Sequence, residues 1–136
     1  MVKEKMYNSN IVMEWRRIRK GNYIMGSKCK RCSALFYPAR TKCTKCGNDE
    51  TENIKFKGHG RVYAYSTIFS APMGFEKQVP YTVGIVKLDE GPKMTAQIID
   101  FEDIKVGMNV EACIRKVYVD GDAGIIHYGI KFRPAE

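Results

Sequence analysis

The stretch CKRCSALFYPARTKCTKC, residues 29–46, decides how the chain begins. Cys29 and Cys32 are separated by two residues, Cys43 and Cys46 likewise, and ten residues lie between the pairs. Two cysteines three apart wrap a tight turn that aims both sulfurs at one centre, and two such turns complete a tetrahedron. In a reducing cytosol thiols stay free, so the spacing reads as a metal site rather than a disulfide framework. Four thiolates make a closed shell suited to structural Zn²⁺, with iron the alternative for the same donors. A redox dithiol would need only one pair. Gly47 follows the second pair, where the turn wants left-handed backbone; Ser33 follows the first and is expected there under some strain.

Upstream, Ser9 or Asn10 can cap a short helix in which Ile11, Trp15 and Ile18 recur at i, i+4 and i+7, with Gly21 closing it. Met13, Arg16, Arg17, Arg19 and Lys20 cover its other faces. Either Trp15 packs this helix onto its own domain, or the helix docks on a partner through Trp15, Arg16 and Arg17. A ribbon and a small barrel offer little core for an extra helix.

Downstream, residues 34–42 join the two knuckles and 47–57 read as a polar boundary. From Gly58 the texture changes to short alternating runs: 61–69, 81–88, 93–99, 109–119 and 125–132. A bulge is expected near Arg115-Lys116. Five such strands predict a mainly β chain whose second part is a Greek-key barrel of the OB type. The expected units are an N-terminal helical segment 1–28, a zinc ribbon 29–57 and a barrel 58–136. The loop Ser70–Pro80 carries Met73 and Phe75 at its tip; it either packs over the barrel or forms an interaction surface, and it is read as a partner or ligand contact.

Charge is segregated along the chain. The net charge is +8 over 136 residues, yet residues 1–46 hold 12 Lys/Arg against 2 Asp/Glu and the rest 11 against 13. The barrel segment holds 9 against 10, whereas a groove tracking phosphates should be cationic, so single-strand nucleic-acid binding is the lesser reading. The length excludes folds as large as a TIM barrel. Without an apolar leader or a run of 18 apolar residues, the chain is read as soluble and cytoplasmic, with no membrane partner.

No nucleophile elbow, phosphate loop or H-E-x-x-H occurs, so no catalytic residue is assigned. His59 and His127 fall on the first and last barrel strands, which closure could bring together, but they read as satisfied structural histidines. Asp120 and Asp122 flank a turn glycine, and Cys113 reads as a small packing residue.

Further motifs stand in a fixed order: Pro38-Ala39-Arg40 between the knuckles, Gly58-His-Gly60-Arg-Val62-Tyr-Ala-Tyr65, Ala71-Pro72-Met-Gly74-Phe75, Pro80-Tyr81, Leu88-Asp89-Glu90-Gly91, Val106-Gly107-Met108-Asn-Val110 and Phe132-Arg133-Pro134. Together with the cysteines they resemble the rubredoxin-like zinc-ribbon plus OB-fold family, the acyl-CoA-associated "domain of unknown function" (thirty-five) proteins of archaea and bacteria. The likeness runs over nearly the whole chain. It implies a non-catalytic accessory subunit of a thiolase-like or other acyl-CoA enzyme. For a stand-alone archaeal chain of this size it implies a scaffold in a hetero-oligomer, joining acetoacetyl-CoA thiolase to hydroxymethylglutaryl-CoA (HMG-CoA) synthase in the mevalonate pathway. Bridging would raise the effective concentration of the shared intermediate. CoA or acyl-CoA is then a possible shared ligand, with Arg40 the first candidate for a phosphate contact. A solvated side chain or a salt bridge accounts for Arg40 equally well.

Overall fold

The computed structural model describes residues 11–21, 23–119 and 124–136. The proposed caps Ser9 and Asn10, and Asp120 and Asp122, lie outside the described residues. Among the described residues, one helix, α1 (Ile11–Gly21), precedes eight strands: β1 (Met25–Cys29), β2 (Leu35–Phe36), β3 (Thr51–Lys55), β4 (His59–Ile68), β5 (Tyr81–Leu88), β6 (Lys93–Ile98), β7 (Asn109–Val119) and β8 (Ile126–Pro134). The first three form a small sheet in the order β2-β1-β3. The other five close into a barrel in the order β4-β5-β6-β8-β7, the Greek-key closure of an OB fold.

Alternation dictates what fills the barrel. On β5, Thr82, Gly84, Val86 and Leu88 point inward while Ile85 and Lys87 face out. They meet Val62, Met94, Ile98, Val110 and Phe132, all buried. Closure comes from one parallel contact, Ile98 opposite Phe132, reinforced by the Ile99 N–H donating to the Phe132 carbonyl at 2.8 Å. Complete burial of a side chain such as Phe132 is worth roughly 1.5–3 kcal/mol. β4 is bulged between Val62 and Ala64, so Tyr63 has no partner opposite it on β5. The bulge expected on β7 falls between Lys116 and Tyr118.

The core does not stop at the barrel. Ile24 and Phe56, which flank the small sheet, are buried in the same apolar cluster as Val62 and Phe132. The Phe56 N–H donates to the Ile24 carbonyl at 2.9 Å, tying the sheet's entrance to its exit. Segment 47–57, which composition marks as a polar boundary, therefore contains β3 and a core residue, Phe56. Glu90, on the β5–β6 turn, accepts from the Lys57 N–H at 3.0 Å and holds the junction from the other side.

Gly26 on β1 makes this seam close. A Cβ there would collide with the Phe56 ring and the Phe36 carbonyl. Gly26→Ala is therefore expected to destabilise the protein by about 1–3 kcal/mol through overpacking, read by thermal unfolding. An unchanged melting temperature would show the seam to be slack.

Candidate metal centre and exposed helix

Each knuckle is built by the same two backbone bonds. The Cys29 N–H donates to Ala34 O at 2.9 Å, and the Ser33 N–H donates to Cys29 O at 3.0 Å. In the second knuckle Cys43 N–H donates to Asn48 O at 2.9 Å and Gly47 N–H to Cys43 O at 3.0 Å. Both turns reach left-handed backbone at the residue after the second cysteine, with φ of 57° at Ser33 and 71° at Gly47. The strain expected at Ser33 is thus present.

The knuckles bring all four Sγ atoms within 4.8 Å of one another. Cys29 and Cys46 sulfurs lie 3.6 Å apart, Cys32 and Cys43 sulfurs 3.5 Å apart. A tetrahedron with Zn–S bonds of ~2.3 Å has edges of ~3.8 Å, so the donor set fits a closed structural zinc site. The electrostatics ask for a cation. Backbone N–H groups of Cys32 and Arg31, outweighing burial, bring the Cys29 thiol down to about 6. Burial works against ionising Cys43, but N–H groups of Cys46 and Lys45 still lower its pKa. Cys46 receives the Asn48 N–H, yet burial and the other three sulfurs hold it up at about 11. A fourth thiolate needs a positive charge at the centre, and a divalent ion supplies it. Cys29 and Cys43 are buried, so with all four positions filled by sulfur the site is structural.

Arg40 stands in the loop between the knuckles. Its N–H donates to Ser27 Oγ at 2.9 Å and its carbonyl accepts from Thr51 Oγ1 at 2.8 Å, which fastens the loop across β1 to β3. The guanidinium lies 5.8 Å from the Phe36 ring centroid.

At the far side of the barrel, α1 rests on β8. Glu14 is the residue turned inward: its Oε2 lies 3.0 Å from His127 Nδ1, both side chains largely buried. The His127 ring stacks on Tyr118, centroids 4.0 Å apart. The helix therefore places its carboxylate toward the barrel and its apolar face toward solvent. Ile11, Trp15 and Ile18 are 72%, 68% and 54% exposed. Arg16 is exposed as well, and Arg17 lies in α1 with its side chain outside the described residues.

In the loop between β4 and β5, Met73 is exposed whereas Phe75 tilts against Tyr81 at 6.1 Å. Gln78 Nε2 donates to Val117 O at 2.6 Å and pins the loop to the β7 bulge. The two histidines do not meet. His59 faces Glu111 at one end of β7, while His127 faces Tyr118 at the other, because β7 and β8 pair antiparallel along their whole length. Cys113 is half-buried and lines a cleft of about 310 Å³ with Tyr23, Lys55, Phe56 and Ile130, at the junction of sheet and barrel. That cleft and the Glu14–His127 contact escape a linear reading, since they join residues far apart in sequence.

Fold and site together define a zinc ribbon joined to an OB barrel. Residues 19–52 match the family model of the ChsH2 rubredoxin-like zinc ribbon domain, and residues 54–115 that of the ChsH2 C-terminal OB-fold domain. The chain belongs to the DUF35 family. It is 43% identical to a DUF35 domain-containing scaffold protein of Methanocaldococcus jannaschii, across 99% of this chain and 98% of that protein. A protein so described from Pyrococcus furiosus is 40% identical, across 88% and 89%. The benzoylsuccinyl-CoA thiolase subunit BbsA of Thauera aromatica is 30% identical over 76 residues, 56% of this chain and 51% of that subunit. Among solved structures, a chain of the Ltp2-ChsH2(DUF35) aldolase shares the fold with a TM-score of 0.70 and 23% identity, covering 96% of this chain and 98% of that one.

Two outcomes are expected at the metal centre. Cys43→Ala should abolish stoichiometric zinc and lower the melting temperature, because the ribbon interior loses its cross-link; zinc retained with unchanged stability would refute the assignment. Ser33→Gly should raise stability by about 0.5–1 kcal/mol as the left-handed strain is relieved.

Proposed function

We propose that this protein is a non-catalytic scaffold subunit that bridges acetoacetyl-CoA thiolase and HMG-CoA synthase in a cytoplasmic hetero-oligomer of the mevalonate pathway, and that it helps hold CoA or acyl-CoA between them. The observation that carries the reading is α1: an apolar face held outward by a carboxylate held inward. A helix seated on the barrel through Glu14 has no reason to expose Ile11, Trp15 and Ile18 together unless another surface covers them. The relatives supply the partner class. The relatives from Methanocaldococcus jannaschii and Pyrococcus furiosus are described as scaffold proteins, and the thiolase subunit BbsA extends the likeness to enzymes of CoA thioesters.

On this reading the zinc stabilises a ribbon too small to fold on its own core, and the ribbon presents the inter-knuckle loop. Trp15, Arg16 and Arg17 contact one enzyme, and Met73 and Phe75 extend the contact surface from the loop. Arg40, held over Phe36, is the proposed contact for a CoA phosphate.

Co-expression with the thiolase and synthase of the same organism, followed by native mass spectrometry, tests the bridge. The expected result is one assembly containing all three chains. Trp15→Ala should weaken it by about thirtyfold or more, as loss of an aromatic anchor does, while the melting temperature of the isolated protein stays unchanged. Unfolding of the isolated variant would instead assign α1 to the protein's own core.

A further inference from the structure

The barrel's even balance of charges conceals an uneven distribution. Register places Arg61 on β4 directly opposite Lys87 on β5, and Lys87 directly opposite Lys93 on β6. The three side chains share the outer face and all are exposed. Like charges directly across a sheet are destabilising. Among the described residues, no carboxylate forms an ion pair with any of them; the ion pairs of the barrel strands lie elsewhere, at Arg115–Asp100, Arg133–Glu111 and the Glu14–His127 contact. Asp89, two residues beyond Lys87, is the nearest acid along β5, which leaves the row with a surplus of positive charge.

We infer that the Arg61–Lys87–Lys93 row is a second docking face, which receives an acidic surface of a partner protein. The inference rests on the scaffold reading and deepens it. Arg61 pairs with Asn109 at the start of β7, whereas Glu14 of α1 meets His127, which stands opposite Tyr118 near the other end of β7, so the row lies away from that contact. A bridge needs two such separated faces, and here they differ in chemistry: one apolar and helical, the other cationic and flat.

The geometry favours a protein over a small anion or a nucleic acid. Neighbouring strands are ~4.8 Å apart, so the row spreads three charges over roughly 10 Å of convex surface. Ligand sites for small molecules are concave, and these residues line neither the cleft beside Cys113 nor a second one between the first knuckle and the β5–β6 turn, where Cys32, Leu35, Glu90 and Pro92 meet. A single strand would want stacking platforms. Tyr63 stands beside the row, but Lys93 Nζ caps its ring at 3.6 Å from the centroid. A partner surface carrying carboxylates at strand spacing neutralises all three cations at once.

The test compares full-length wild type, Lys87→Glu and Trp15→Ala in binding to each of the two enzymes separately, at low and high salt, with a single-stranded oligonucleotide as a further probe. Lys87 is exposed on the sheet, so the charge-reversed protein should keep its fold, checked by its melting temperature. Lys87→Glu is expected to weaken binding to one enzyme by about tenfold or more, and salt should weaken that same wild-type contact, while the other enzyme binds as before. Trp15→Ala is expected to show the reverse selection. If Lys87→Glu binds both enzymes like wild type, or loses the same enzyme as Trp15→Ala, the second face is overturned and the scaffold reading stands. Oligonucleotide binding that Lys87→Glu abolishes would also overturn it, in favour of a polyanion site. Wild type binding neither enzyme would overturn both.

Discussion

Four sulfurs drawn to one point constrain everything N-terminal to the barrel. The ribbon's own interior consists of Cys29, Ala34 and Cys43, with Phe36 and Cys46 packed against them. So little apolar surface cannot offset the conformational entropy of ordering the two knuckles and three short strands. A cation at the centre can, because it turns the mutual repulsion of the thiolates into attraction and closes the loop between the knuckles. Once the knuckles are fixed, β1 and β3 are brought together, and Ile24 and Phe56 are presented as a pair at the edge of the sheet.

That pair couples the metal to the barrel. Ile24 and Phe56 complete an apolar cluster that runs on to Phe132 and Val86, so ribbon and barrel share one interior. A scaffold gains from this arrangement. Surfaces on a rigid unit keep their relative orientation, and an assembly that depends on two contacts loses little to internal motion. The exposed helix is tied to the barrel through the buried Glu14–His127 contact, with His127 stacked on Tyr118.

Much of this was legible in one dimension. The cysteine spacing specified the donor set, because a tight turn is a local object and needs only its own few residues. The strand runs 81–88 and 109–119 match the structure at both ends, since alternation and turn residues are local as well. The bulge near Lys116 showed as a slip in alternation, whereas the one at Tyr63 left no such mark. The strand Thr51–Lys55 was hidden by its composition: Glu52, Asn53 and Lys55 are polar because a ribbon strand has almost no interior to face.

The sequence by itself determined the cysteine cluster, the five barrel strands and the turns between them, for these follow from spacing and period over a handful of neighbours. Only the tertiary structure decided which faces look outward. Helical period put Trp15 on an apolar stripe, but it took Glu14 reaching His127 to turn that stripe to solvent. Closure of the first strand on the last would make His59 and His127 neighbours, but β7 stands between those strands and its register sets the two at its opposite ends. The barrel's charges sum to nearly nothing along the chain, yet register gathers three cations into a single row. Register and closure join residues tens of positions apart, and no local pattern encodes such a distance.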